Sequence, residues 1–410
     1  MKGLVFTITP GNADPCEEEN RMESIRDRVA IVGMGCTQFG ELWGKGAEDL
    51  IVEAAFEAYA DAGVEAKDIQ AAWVGTTTSG RTGASLASPL KLHYVPVTRV
   101  ENACATAMDA FRNAVFAVAC GAYDLVLALG FEKLKDTGTG GRSGGGNEMG
   151  HPILGMPYNA PTNFGLAATR YFHVYGIGRE TLAKIAVKNH YNGSLTPKAH
   201  FHNRITIEQA LNAPMVCWPF GLYDCCGVSD GCAAAIITRP ELAKKFRDDP
   251  IYVKGMGMAS APGMPQYMPG YDYVHWEHTV QAARQAYEQA GIKNPRKEVN
   301  IANVHDCFTM TELLTYEDLG FSQKGHAKED IDTGRFELRG EQPVNTDGGL
   351  KCFGHPTGAS GLRMAYEIYK QMQGKCGDRQ LKVNPERGLV HNIGGAPFTC
   401  SVVIFGRDLG

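Results

Sequence analysis

No apolar run in the 410-residue sequence approaches the roughly 18 residues that a membrane-crossing helix needs, so no helical span is expected. The first residues, Met1 to Asp27, lack the basic-then-apolar order of a secretory leader. A cytoplasmic protein is expected, and Met22 offers a second candidate start. An excess of one charge is missing too. Forty Lys and Arg stand against 45 Asp and Glu, a formal net charge of −5, which excludes the basic field of a nucleic-acid or membrane-surface binder. The 12 cysteines contain no Cys-x-x-Cys pair, which argues against a zinc site and leaves no metal expected in this chain. Scattered through apolar segments, they read as reduced thiols, most of them core residues. The glycine-rich stretch Gly140 to Gly146 lacks the Gly-Lys-Ser/Thr ending of a phosphate loop.

The chain is too long for one ordinary core. Its organisation shows in an internal echo. Val29-Ala30-Ile31-Val32-Gly33-Met34-Gly35 returns as Ile251-Tyr252-Val253-Lys254-Gly255-Met256-Gly257. The helical pattern Ala54 to Gly63 returns as Ala282 to Gly291, each ending in a C-cap glycine, and apolar strands follow at Ala71 to Val74 and Val299 to Val304. Two βαβ-like halves are expected, at 27–245 and 250–410, after an N-terminal extension of residues 1–26. The first half is longer by an insertion over 132–217, expected to form a lid or substrate-recognition segment in which Phe164, Tyr171, Phe172, Tyr175 and Trp218 either line a pocket or pack.

Cys104 lies in Glu101-Asn102-Ala103-Cys104-Ala105-Thr106, where an extended run meets a helical pattern carried by Met108, Phe111, Val115 and Val118 and stopped at Gly121. A thiol at a helix entrance feels the positive end of the macrodipole, which favours the thiolate. Alone, that location fits core packing better than chemistry, since a free cysteine beside a core helix usually packs. The duplication adds a partner, because the same turn in the second half is Gly348 to Gly361, which carries His355 into the helix Leu362 to Met372. Two more runs end in chemically capable residues, His305-Asp306-Cys307-Phe308 and His391-Asn392-Ile393-Gly394-Gly395. Nucleophile, base, second proton carrier and oxyanion donors are what thiol-based acyl chemistry requires. For Cys307 a buried inert thiol is an equal reading, and Asn303 and Asp306 read as residues that orient His305.

These residues resemble the thiolase superfamily over nearly the whole chain, Val29 to Phe405. Asn102-Ala103-Cys104, Gly354-His355-Pro356-Thr357-Gly358-Ala359-Ser360-Gly361 and Asn392-Ile393-Gly394-Gly395 are its landmarks in order. His305-Asp306-Cys307-Phe308, Lys188-Asn189-His190 and Cys225-Cys226-Gly227 resemble its sterol-carrier-type branch. The resemblance implies an α/β thiolase fold, two βαβαβαββ halves in five αβαβα layers, acting on acyl-CoA with coenzyme A as substrate. By position it implies Cys104 as acyl acceptor and His355 as its base. His305 with His355 would bind the thioester oxygen, the N–H groups of Cys104 and Gly394 would bind the acyl-enzyme oxygen, and Cys307 would serve the carbon acid. Asn392 stands where biosynthetic thiolases carry a second catalytic cysteine.

It also implies a homodimer or larger oligomer and, for this branch, a small partner subunit with an OB-fold and a zinc ribbon. Overall the chain resembles thiolases of anaerobic aromatic degradation, such as benzoylsuccinyl-CoA thiolase. Two other readings share the residues: a decarboxylating ketoacyl synthase, and a non-catalytic scaffold binding acyl-CoA or lipid. The steroid side-chain aldolases of the branch lack the nucleophilic cysteine that Cys104 supplies.

Overall fold

The computed structural model describes residues 24–137, 160–263, 270–395 and 397–410. The glycine run near 140–146 and most of the N-terminal extension lie outside the described residues. From Ser24 the chain is held: Ile25 is buried, and Arg26 donates to the Gly410 carbonyl at 2.8 Å.

Eleven strands are present among the described residues: β1 (Ala30–Cys36), β2 (Ala71–Gly75), β3 (Val97–Val100), β4 (Leu125–Glu132), β5 (Met215–Cys217), β6 (Phe220–Gly221), β7 (Gly231–Thr238), β8 (Ile251–Ser260), β9 (Ile301–Val304), β10 (Arg387–Gly394) and β11 (Thr399–Gly406). Nine form one mixed sheet in the order β3-β2-β4-β7-β1-β8-β11-β10-β9, and β5 and β6 form a separate hairpin. The order reads alike from both ends. Each half has a parallel pair, β2–β4 or β9–β10, followed by two antiparallel neighbours. The halves join through only two residue pairs between β1 and β8, Ala30 with Tyr252 and Ile31 with Ile251. Even β3 has a counterpart, for Val344 makes a parallel bridge to Ala302 of β9.

The sequence echo has a steric cause. A Cβ on Gly33 or Gly35 would lie 2.4 or 2.0 Å from the carbonyls of Ala58 or Ala54, and on Gly255 or Gly257 2.2 or 1.9 Å from those of Ala286 or Ala282. In both halves the glycines let a helix, Ala47–Ala62 or Glu277–Ala290, lie directly on the strand backbone. Those helices cover β1 with β7 and β8 with β11. Helices Thr106–Ala119 and Ser360–Met372 pack on each other between the halves, the first on β2 and β4, the second on β9 and β10 and across to β7 and β1. Helix, strands, helix pair, strands, helix: this is the five-layer order.

The described part of the 132–217 insertion is mostly helical, Ala160–Tyr175, Arg179–Ser194 and Ile207–Leu211. Arg179–Ser194 packs against Thr309–Asp318 and Gly349–Phe353, so it lies beneath the segment that carries His355. Phe164 and Tyr171 are buried, whereas Trp218 is 61% exposed and cannot be core. No described helix is long and apolar enough to cross a membrane.

Candidate active site

The chemically capable residues follow the C-terminal ends of the parallel strands. Cys104 comes after β3, His305 to Phe308 after β9, His355 after the Val344 bridge, and Asn392 to Gly395 at the end of β10. They meet between the halves, where Gly394 closes on the Asn102 carbonyl and His305 packs on His355.

The Cys104 turn is tightly specified. Ala103 adopts a left-handed φ of +50°, a conformation that an alanine seldom takes. Thr106 Oγ1 accepts from the Asn102 amide at 2.8 Å and donates to the Ala103 carbonyl, while Asn102 Nδ2 donates to Asp109 at 2.6 Å. The Gly394 backbone closes against this turn, since a Cβ there would lie 2.3 Å from the Asn102 carbonyl. The amide aimed at the Cys104 sulfur is that of the next residue, Gly395. Burial nevertheless pushes the Cys104 thiol up to about 12, opposed by the Gly395 N–H and reinforced by the charges of Glu132 and Glu101. The helix entrance therefore does not yield a standing thiolate. The helix begins at Thr106, two residues on, and desolvation outweighs its dipole.

His355 is buried, with Nδ1 2.7 Å from Ser360 Oγ. The Ser360 hydroxyl donates to the Pro356 carbonyl at 2.9 Å, so it accepts the Nδ1 proton and leaves the lone pair on Nε2. Burial, then the nearby Arg363 charge, lowers this imidazole to about 3. It is a neutral ring with its base nitrogen fixed.

His305 packs edge-on to His355, with ring centroids 5.2 Å apart. Asn392 Nδ2 lies 3.0 Å from His305 Nδ1, so the amide donates there and the His305 proton resides on Nε2. Burial first, then His355 and His391, holds His305 well below the ordinary range. One histidine thus presents a lone pair and its neighbour an N–H.

Cys307 is buried beside Thr311, with Sγ to Oγ1 3.5 Å, and burial pushes its thiol well above the ordinary value. Cys104 and Cys226 are near enough that their charges would raise it further. The Cys226 N–H donates to the Cys307 carbonyl at 2.9 Å, and its side chain is half-buried. The eleven described cysteines are all free. Among the described residues no His, Cys, Asp and Glu group is placed to hold a metal ion.

Asp306 serves a different neighbour from the one expected. Its carboxylate accepts from the Leu350 and Lys351 amides at 2.5 and 3.3 Å and from Asn189 Nδ2 at 2.9 Å, so it ties the segment leading to His355 to the end of β9. Burial and the adjacent Glu312 raise it to about 7. Lys188 donates to Glu312 at 2.5 Å and to the Val344 carbonyl at 2.8 Å, which anchors the insertion under the same segment. Sequence reasoning missed Ser360, although its place five residues after His355 at a helix start was a usable signal.

A thiol, a neutral imidazole with an open lone pair and nearby N–H groups between two like α/β halves are the parts that thiol-dependent acyl transfer requires. The chain belongs to the thiolase family. Residues 29–216 match the family description "Thiolase, N-terminal domain" and residues 268–407 "Thiolase C-terminal domain-like". Acetyl-CoA acetyltransferase of Methanothermobacter thermautotrophicus is 38% identical over 92% of this chain and 99% of its own length. Sterol carrier protein 2 of Gallus gallus is 32% identical over 92% of this chain and 72% of its own. The benzoylsuccinyl-CoA thiolase subunit BbsB of Thauera aromatica is 32% identical over 90% and 95%. A solved structure described as "Ltp2-ChsH2(DUF35) aldolase" superposes with a TM-score of 0.84 at 27% identity, over 95% of this chain and 100% of that one.

Proposed function

We propose that the chain is a thiolase that exchanges an acyl group between a 3-oxoacyl-CoA and coenzyme A through Cys104. The observation that carries this is the pair of buried histidines, His355 Nδ1 2.7 Å from Ser360 Oγ and His305 Nδ1 3.0 Å from Asn392 Nδ2, partners that leave a lone pair on Nε2 of the first and a proton on Nε2 of the second.

Because thiol and imidazole start neutral, the first step moves the Cys104 proton to His355 as sulfur attacks the 3-oxo carbon. Collapse of the adduct breaks the C2–C3 bond, leaves the acyl group on Cys104 and releases the electron pair as an acetyl-CoA enolate. The His305 N–H and the newly protonated His355 face the enolate oxygen, and the Cys307 thiol supplies the proton to C2. The Cys307 thiolate then takes the proton of incoming coenzyme A, whose sulfur displaces the acyl group from Cys104. Proton return from His355 to Cys104 restores the site. During acyl transfer the N–H groups of Cys104 and Gly394, with that of Gly395 beside the sulfur, bind the carbonyl oxygen. Asn392 acts through His305 rather than as an acid.

We assign an aromatic or branched acyl group to the insertion side of the site, where buried Phe164 and Phe220 pack on Phe308 with ring centroids 5.0 and 5.1 Å apart. The 132–217 segment is the substrate-recognising part of the first half, 27–245, with 250–410 the second half. A cytoplasmic oligomer carrying a small OB-fold, zinc-ribbon subunit completes the reading. The subunit status of the Thauera relative and the DUF35 named in the aldolase structure support it, and the presence of Cys104 favours thiolysis over aldol cleavage. A cleavage panel of short, branched and aromatic 3-oxoacyl-CoA esters, with and without such a subunit, tests the proposal. CoA-dependent cleavage lost in Cys104→Ala is expected, and cleavage retained by that variant refutes it.

A further inference from the structure

We infer that Glu132 is a positioning residue that clamps the His355 loop of the second half onto the Cys104 half, setting the alignment of base and nucleophile. The inference rests on the thiolase reading of the site.

Glu132 ends β4 and is fully buried. Its two oxygens collect four backbone amides: Thr78 and Ser79 on Oε1 at 2.9 and 2.8 Å, Thr77 and Gly358 on Oε2 at 2.9 and 3.1 Å. Hydroxyls of Thr76, Thr77, Thr78 and Thr357 add contacts at 3.1, 2.7, 3.1 and 3.3 Å. Three strand-end segments meet on this one carboxylate, the loop after β2, the end of β4 and the turn three residues past His355. Thr77 and Thr357 hydroxyls also bond each other across the halves at 3.0 Å.

The backbone fit is as close. A Cβ on Gly358 would lie 2.5 Å from the Phe131 carbonyl, and one on Gly130 would lie 2.2 Å from the Gly358 carbonyl. A carboxylate, with acceptors on both oxygens, is the group this site requires. An amide would present N–H to two of the four N–H donors whichever way it turned. The donors hold Glu132 ionised, below the ordinary carboxylate range against the penalty of burial, and its charge is felt at Cys104. Glu132 therefore has two separable effects: it holds the base in register, and it disfavours the Cys104 thiolate. Substitution should slow turnover while making the thiol easier to ionise.

The test is Glu132→Gln, with steady-state kinetics and iodoacetamide labelling of Cys104 read by mass spectrometry across pH 7 to 10. A misplaced base should lower kcat by about tenfold or more with KM within about threefold. Removing the charge should speed labelling at pH 8 by about fivefold. Wild-type kcat, or labelling no faster than wild type, overturns the inference. Should Glu132→Gln fail to fold, the double variant Thr77→Val with Thr357→Val, which keeps the carboxylate and its amides, decides by itself. About a fivefold fall in kcat with labelling unchanged is expected there, and wild-type kcat contradicts the clamp. Wild-type enzyme that forms no acyl adduct on Cys104 refutes the thiolase reading instead. The labelling comparison stands in either case.

Discussion

Asn392 Nδ2 lies 3.0 Å from Nδ1 of His305, and this contact decides which nitrogen of His305 carries its proton. On the proposed mechanism, the residue that takes the place of a second cysteine is the one that aims the His305 N–H at the substrate oxygen. Asn392→Ala should free the imidazole to put its proton on either nitrogen. We expect kcat to fall by about tenfold to a hundredfold, short of the loss on removing a donor outright, with KM little changed. Steady-state kinetics beside His305→Ala checks this, and wild-type kcat in Asn392→Ala would show that the tautomer does not matter.

With the Cys104 thiol up at about 12 and His355 down at about 3, the resting enzyme contains no thiolate–imidazolium pair. Iodoacetamide labelling of Cys104 should therefore rise about tenfold per pH unit from pH 7 to 9 without levelling. A plateau below pH 8 would mean a preformed thiolate.

Five histidines are buried as neutral rings: His190 and His278 at about 4, His355 and His391 at about 3, and His305 well below the ordinary value, in each case through burial first. Depressed folded values mean that the unfolded chain binds these protons first, so their stabilisation is complete above about pH 6.5 and lost progressively as pH falls. Asp306 and Asp318, raised to about 7 and about 6 by burial, act in the opposite sense. At pH 5.5 the histidines prevail, with a net uptake of about three protons on unfolding. Urea titrations at pH 7.5, 6.5 and 5.5 should show stability falling steeply with acid, and a flat profile would contradict the neutral assignments.

Gly257→Ala would put a methyl 1.9 Å from the Ala282 carbonyl, so the Glu277–Ala290 helix would have to move off β8. A loss of about 3 kcal/mol or failure to fold is expected. Gly44→Ala, with nothing within 4 Å of the new carbon, should stay within about 0.5 kcal/mol of wild type by urea denaturation.

Much of this was legible in the sequence because it rests on local pattern. The glycine spacing at Gly33, Gly35, Gly255 and Gly257 marked the duplication, since a strand packed that closely on a helix tolerates no other residue. The helices at Ala47–Ala62 and Glu277–Ala290 end at Gly63 and Gly291 in left-handed conformations, as their C-cap glycines predict. What stayed hidden depends on contacts across the chain. Glu132 reads as the first residue of the 132–217 insertion, and nothing nearby reveals that Gly358 shares it. Asp306 read as a partner for its neighbour His305, because its real partners, Leu350 and Lys351, are remote in sequence. The state of Cys104 was misjudged because a dipole is visible in sequence order while desolvation is set by everything packed around the thiol.

Intact-protein mass spectrometry tests the central claim most directly. Wild-type enzyme mixed with a cleavable 3-oxoacyl-CoA in the absence of free coenzyme A should gain the mass of the acyl group, mapped by digestion to Cys104, and lose it when coenzyme A is added. Cys104→Ala should gain nothing. An adduct on another residue, or cleavage with no adduct on Cys104, would contradict the account.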